Sequence, residues 1–244
     1  MSGDGKIQIG TSGWHYRHWK GPFYPVHARA DEFLPLYAER FTTVEINNTF
    51  YRLPDEKTWE GWRENVPAGF VFTVKASRYI THMKKLKDPE APLAALLERA
   101  GLLGAHLGPL LFQLPPGWRV NAGRLDAFLD ALPGGQRYAF EFRDNSWFTG
   151  PVYEALERAG CAFCIYDLGG AQSPEVVTAR FVYVRLHGPD GPYRGSYDDA
   201  ALKRWAGRVR RWRAEGREVF VYFDNDEAGY AAGDALRLKA MAEG

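Results

Sequence analysis

The sequence has 244 residues and a formal net charge of +1, with 45% hydrophobic and 25% charged residues. That balance is ordinary for a soluble globular chain and gives no global pull toward nucleic acid or an acidic membrane, although a local basic patch stays open. No apolar run approaches the roughly 18 residues a membrane-spanning helix needs, and the first residues lack the apolar core of a signal peptide. The two cysteines argue against a disulfide framework and fit a reducing, cytoplasmic setting.

Strand-like runs alternate with helical ones along the whole chain. The first strand covers 6–11, followed by a loop with Trp14, His15, Tyr16 and Trp19. A helix over 31–40 leads to a second strand over 42–47 and an aromatic loop over 48–53. A helix over 56–65 precedes strand three, 70–76, then a basic loop over 77–87 and a helix over 90–103. Strand four covers 110–114, the fourth helix 121–132, strand five 138–143 and the fifth helix 151–159. Strand six covers 162–167. The connection after it has room only for a degenerate helix or turn near 174–177. Strand seven covers 181–187, a long helix 198–215, strand eight 218–225, and a closing helix follows Asp226. Eight successive βα units without a linker, composition shift or repeat predict one α/β domain over 1–244, a (β/α)8 TIM-type barrel. An open doubly wound sheet would carry a glycine-rich phosphate turn after strand one, and GTSGW lacks that spacing.

Active sites of such barrels form at the C-terminal ends of the strands, and here those ends are polar. Strand two ends in Glu45 and Asn47, strand three in Thr73 and Lys75, strand four in Gln113, and strand five in Glu141 and Arg143. Strand six ends in Asp167, strand seven in Arg185 and His187, and strand eight in Asp224, Asn225 and Asp226. Residues two apart share a strand face, so Arg185 with His187 and Glu141 with Arg143 each face one way. A charge on the inward face of a buried strand is costly unless it is paired or used.

Glu141 and Glu45 are candidate general acids or bases if burial raises a carboxyl toward neutrality, with His187 and Asp167 as further catalytic candidates. The same two glutamates suit glycoside hydrolysis in type, but strands two and five lie far apart around a barrel. Lys75 invites a Schiff base; nearby carboxylates would keep it protonated and favour anion binding. Arg143 and Arg185 suit bidentate capture of carboxylate or phosphate. Asn47, Gln113, Asn225, Trp14, Tyr51, His82 and Tyr193 complete the candidate ligand-binding set. A structural ion network capping the barrel is the alternative for the whole ring of charges.

No cofactor is required by these residues. Glu141, Asp167, Asp224 and Asp226 could hold a single divalent ion with water, but the histidines are too few and scattered for a multinuclear zinc site. Cys161 and Cys164 spell CAFC within a strand, where residues three apart face opposite sides, so two buried thiols are expected rather than a redox or zinc pair. The basic stretch 203–217 reads as a solvated helix face.

Several ordered motifs resemble the DUF72, or YecE-like, family: GTSGW (10–14), TVEINNTFYRLP (43–54), FTVKASRYITH (72–82), LGPLLFQLPP (107–116), EFRDNSW (141–147), YVRLHG (183–188), YRGSY (193–197) and YFDNDEAGYA (222–231). The resemblance spans nearly the whole chain and implies a TIM-type barrel without implying a reaction. Asp224 departs from the pattern, which more often has asparagine there. Three functional readings follow from the residues. The first is an enzyme acting on a small phosphorylated or carboxylated molecule. The second is a nucleic-acid-binding or repair protein using the aromatic and basic rim, and the third a non-catalytic ligand-binding barrel. None needs a membrane, and no feature fixes an oligomeric state.

Overall fold

Runs rich in valine, isoleucine and aromatic residues form the strands because such side chains pack well on a pleated, buried surface. The computed structural model describes residues 5–244. Nine strands occur among them: β1 (Ile7–Thr11), β2 (Thr43–Ile46), β3 (Val71–Lys75), β4 (Leu107–Gln113), β5 (Tyr138–Glu141), β6 (Ala162–Leu168), β7 (Ala171–Gln172), β8 (Phe181–Leu186) and β9 (Glu218–Phe223). All but β7 run parallel, in the order β1-β9-β8-β6-β5-β4-β3-β2. The helices are α1 (Phe33–Ala38), α2 (Glu56–Glu64), α3 (Glu90–Gly101), α4 (Ala122–Asp130), α5 (Gly150–Arg158), α6 (Asp199–Ala214) and α7 (Tyr230–Glu243). Three of them start on side-chain caps: Asp55, Asn121 and Asp198 accept from the backbone N–H of Thr58, Arg124 and Ala201.

The parallel strands close into a nearly complete barrel. Its seam lies between β1 and β2, which share one bridge, Ser12 with Glu45, instead of a ladder. The Tyr37 hydroxyl, delivered by α1, fills the gap: it accepts from Thr11 N–H (2.9 Å) and donates to the Thr43 carbonyl (3.0 Å). Gly10 makes room for it, since a Cβ there would meet Thr43 O at 2.2 Å and the Tyr37 hydroxyl at 2.9 Å.

Inside the barrel, Leu111, Ala139, Cys164, Phe181, Phe220 and Tyr222 form the lower core. A larger apolar layer, with Trp59, Phe112, Phe128, Leu156 and Trp205, lies between strands and helices. Cys161 belongs to the outer layer and Cys164 to the inner one. Both are free thiols, and burial pushes Cys161 up to about 12, which leaves it protonated and inert.

The chain departs from the sequence expectation at two places. No helical turn forms near 174–177. Gly169 and Gly170, both at positive φ (63° and 79°), reverse the chain into β7, antiparallel to β6. The segment then follows the outside of β6, where the Ser173 and Thr178 hydroxyls accept from Tyr166 N–H and Phe163 N–H. Side chains thus satisfy the β6 backbone where a degenerate helix or turn was expected. β4 also begins three residues early, at Leu107, although Gly108 and Pro109 read as breakers. Gly108 is in the strand because β3 comes so close that a Cβ would lie 2.6 Å from Val71 Cγ1.

The basic stretch on α6 is two-sided. Trp205, Val209 and Trp212 are buried, while Arg208 and Arg211 pair with Glu175 of the β7–β8 connection. No helix among the described residues is long and apolar enough to cross a membrane.

Candidate functional site

β8 supplies the centre of the site. Its alternation points Tyr183 and Arg185 into the barrel, with His187 just beyond the strand end. Arg185 is fully buried, and every nitrogen of its guanidinium is engaged. Nη2 reaches Glu45 Oε1 (2.7 Å), Asp224 Oδ2 (3.0 Å) and Ser12 Oγ (3.1 Å). Nη1 donates to Glu141 Oε2 (2.9 Å), and Nε to Glu45 Oε1 (3.2 Å). The second Glu45 oxygen accepts from the Tyr183 hydroxyl at 2.6 Å, and Ser12 Oγ donates to the first. A buried guanidinium is tolerable only with partners of this kind.

His187, also fully buried, sits above Arg185. Nδ1 pairs with Asp224 Oδ2 (3.1 Å), and Nε2 lies 2.9 Å from Arg143 Nη2. A guanidinium has no acceptor, so Nε2 accepts and Nδ1 carries the proton to Asp224. Arg143 also makes an ion pair from Nε to Glu141 Oε1, in contact though not aligned as a hydrogen bond.

This pairing fixes the charges. Burial acts to raise the Glu141 carboxyl, but Arg143, then Arg185 and His187, carry it well below the usual carboxylate range. Burial likewise raises Asp224, and Arg185 and His187 bring its net position below normal. The expectation of a Glu141 carboxyl lifted toward neutrality therefore fails. Its two oxygens are taken by two guanidinium groups, which makes it a weak base and a fixed anion.

Lys75, at the end of β3, behaves differently. It is 6% exposed, and among the described residues its Nζ has no ion pair or hydrogen bond. Thr49 Oγ1 donates to the Lys75 carbonyl (2.7 Å), so the turn Asn48–Phe50 is tied to β3 and the Phe50 ring lies 4.3 Å from Nζ. Burial first, and Arg185 second, lower the amine to about 8, against the opposing pull of Asp224, Glu45 and Glu141. The carboxylates expected to keep Lys75 protonated do raise it, and at about 8 it stays mostly protonated at pH 7, but they are bound to arginine and do not pair with it.

Rim residues complete the mouth. A π-helical turn, Tyr79–Met83, places His82 with its ring 5.0 Å from Phe50. Burial, Lys75, Arg78 and Arg143 all lower the His82 imidazole. Tyr193 adopts positive φ (66°), which is unusual for a non-glycine residue, and sets its ring edge-on to His187 at 5.4 Å. Gly188 permits this loop fold, since at φ 107° a Cβ would lie 2.2 Å from Arg194 O. On the other side of the mouth, Asp226 accepts from Trp19 Nε1 (2.6 Å) and pairs with His18 Nε2 (2.9 Å). Burial raises Asp226 to about 6 despite Trp19 and His18.

The sequence candidates thus divide into groups. Glu45, Glu141, Arg143, Arg185, His187 and Asp224 converge on one network. Lys75 lies within the field of that network and shares the Phe50 ring with His82, Tyr193 packs on His187, and Gln113 faces inward beside its register partner Glu141. Asn47 is next to a small cavity of about 160 Å³ lined by Gly13, His15 and Tyr16, and its Oδ1 is buried without a partner. Trp14 lines the same cavity and packs on Trp62 and Phe72, and Tyr51 stands out in solvent.

Two candidates lie elsewhere. Asp167 faces outward, where it accepts from Gly170 N–H and Gln172 Nε2 and holds the β7 hairpin. Asn225 also faces outward and donates to Gly195 O and Asp234, joining the loop after β8 to α7. Each is one residue out of phase with an inward neighbour, Tyr166 or Asp224. The residues missed are Ser12, Tyr183 and His18. Tyr183 was findable, being two residues before Arg185 on the same face. Among the described residues no cluster of three or more His, Cys, Asp or Glu is arranged to hold a metal ion.

The comparisons agree with this architecture. Residues 8–244 match the family described as "Protein of unknown function DUF72". A crystal structure of a DUF72 family protein from Thermotoga maritima superposes with a TM-score of 0.90 at 28% identity, covering 98% of this chain and 100% of that one. One from Enterococcus faecalis gives a TM-score of 0.83 over 97% and 95% of the two chains, and at 19% identity it speaks for the fold alone. The UPF0759 protein YunF of Bacillus subtilis is 26% identical over 274 residues, 97% of this chain and 95% of that protein. With a match over nearly its full length and the same barrel, this chain belongs to the DUF72 family.

Proposed function

We propose that the barrel mouth binds a small anionic molecule, phosphorylated or carboxylated, with Lys75 and Arg143 as its anion-holding groups. One observation carries this reading: Lys75 is a buried cation whose carboxylate neighbours are all engaged by arginine or histidine. An incoming anion would supply the charge partner the protein withholds. Arg185 is the scaffold of the site rather than a ligand group, because all of its donors are already used. With Glu141 and Asp224 held as fixed anions, a proton at the mouth is better handled by His82, whose imidazole stays neutral at pH 7.

The test is calorimetric titration of inorganic phosphate and of glycolate into the protein at low salt. Binding that disappears in Lys75→Met and weakens in Arg143→Gln is the expected result. Equal affinity in Lys75→Met, or no binding of either anion, would end the proposal.

A second reading is favoured by the exposed Tyr51, Tyr79 and Met83, with Lys84 Nζ 5.9 Å from the Tyr79 ring. Such a rim suits stacking of bases with phosphate contacts. It requires oligonucleotide affinity that falls steeply with salt.

A further inference from the structure

We propose that Lys75 is a nucleophile, and that the barrel mouth forms an imine between its Nζ and an aldehyde or ketone carrying a carboxylate or phosphate group. The inference rests on the anion-binding reading and adds the carbonyl.

Three placements support it. Lys75 ends a barrel strand on the inward face, and the Thr49 hydrogen bond to its carbonyl fixes its backbone. Its Nζ has a cation–π contact to Phe50 but no ion pair or hydrogen bond among the described residues: the charged groups around it are Arg185, Asp224, Glu45 and Glu141, which bind one another or Arg143 and His187, and His82 is the remaining titratable neighbour. Its flank is the Phe50 ring, 4.3 Å from Nζ, and the His82 imidazole packs edge-on to the same ring at 5.0 Å, so an apolar wall lies at the amine and a titratable ring lies on that wall. A lysine serving only to balance charge would be paired with a carboxylate. With the amine at about 8, roughly a tenth is unprotonated at pH 7, far more than for a solvated lysine.

The step balances without an outside oxidant or reductant. The ammonium gives one proton to His82, the freed lone pair forms a C–N bond to the carbonyl carbon as the C=O π pair moves to oxygen, and that oxygen takes the proton back from His82 to give a carbinolamine protonated on nitrogen. His82 relays a proton from nitrogen to that hydroxyl, the C–O bond breaks, and water leaves. The ammonium and the carbonyl compound together thus become a protonated imine and one water. The imine nitrogen keeps one proton and its positive charge, which the ligand's anionic group balances.

The test uses the intact protein with glyoxylate and sodium cyanoborohydride at pH 7, followed by peptide mapping. Lys75 is expected to become carboxymethylated roughly tenfold or more faster than exposed Lys57 and Lys85. Glycolate, which carries the anion but no carbonyl, should slow the reaction at Lys75 alone. Because every lysine is read in the wild-type protein, the result does not depend on a variant folding. Labelling of Lys75 no faster than that of Lys57 and Lys85 overturns the imine. Glycolate titration then separates the two failures: if glycolate binds, the anion site stands without the imine, and if it does not, both fall.

Discussion

Arg185 grips a single oxygen of Glu45 with two nitrogens, Nη2 at 2.7 Å and Nε at 3.2 Å, and leaves the other oxygen to Tyr183. The pair is fully buried and spans the barrel interior from β8 to β2. Replacing the guanidinium by an apolar chain of similar length would strand Glu45, Glu141 and Asp224 together. Arg185→Met should therefore cost about 3–5 kcal/mol in urea unfolding, the scale for an uncompensated buried charge. A loss under about 1 kcal/mol would mean that the network relaxes without its centre.

Acid should weaken the fold through the same groups. Glu141 and Asp224 are held below their ordinary values of 4.5 and 3.8. A carboxyl depressed in the folded state stabilises fully above its unfolded value and loses that contribution as pH falls through the folded one. Unfolding free energy should be flat in this respect above about pH 5 and fall below it. Glu141→Gln should flatten the acid limb, and an unchanged slope would assign the effect to other carboxylates.

Lys75 has the opposite sign. A base lowered in the folded state, here from 10.5 to about 8, makes its charge a burden below pH 8, relieved as pH rises between those values. Lys75→Met removes that burden along with a cation–π contact to Phe50. The variant is expected to be more stable at pH 7 by about 1–2 kcal/mol, with the advantage fading toward pH 10. A variant less stable at both pH values would show that the chain's packing, not its charge, dominates.

Asp226 offers a separate readout at the rim. Its carboxyl sits at about 6 instead of 3.8, so its ionised form costs the fold stability, fully above pH 6 and not at all below pH 4. Asp226→Asn keeps an acceptor for Trp19 and should gain about 1 kcal/mol at pH 8 and nothing at pH 4, after discounting for the partly open side chain. Thermal unfolding at the two pH values checks this. Equal shifts at both would rule out the titration as the cause.

Much of this arrangement is legible in the chain itself. Strands buried on both faces read as continuous hydrophobic runs, which is why all eight staves can be counted. Charged residues two apart, as in Glu141 with Arg143, can only share a face. Phase is harder to read. Asp167 and Asn225 lie one residue beyond inward positions, and a one-residue error sends a side chain to the opposite surface. Which carboxylate meets which cation depends on barrel closure, so the low Glu141 and the uncommitted Lys75 have no local signal. The hairpin in place of a degenerate helix or turn after β6 follows from Gly169 and Gly170, a pair that reads equally well as an ordinary loop.

The seam at β1 and β2 has a mechanical consequence. A barrel resists opening as a hoop does, and here the hoop is joined by the Tyr37 hydroxyl and the Ser12–Glu45 bridge in place of a row of backbone bonds. Arg185, which holds both Ser12 and Glu45, is the clasp of that joint. A ligand that competed for its guanidinium would pry the staves apart, whereas one held by Lys75 and Arg143 would leave the clasp shut. On the proposed anion-binding reading, a ligand of the mouth would therefore sit in the storey above Arg185.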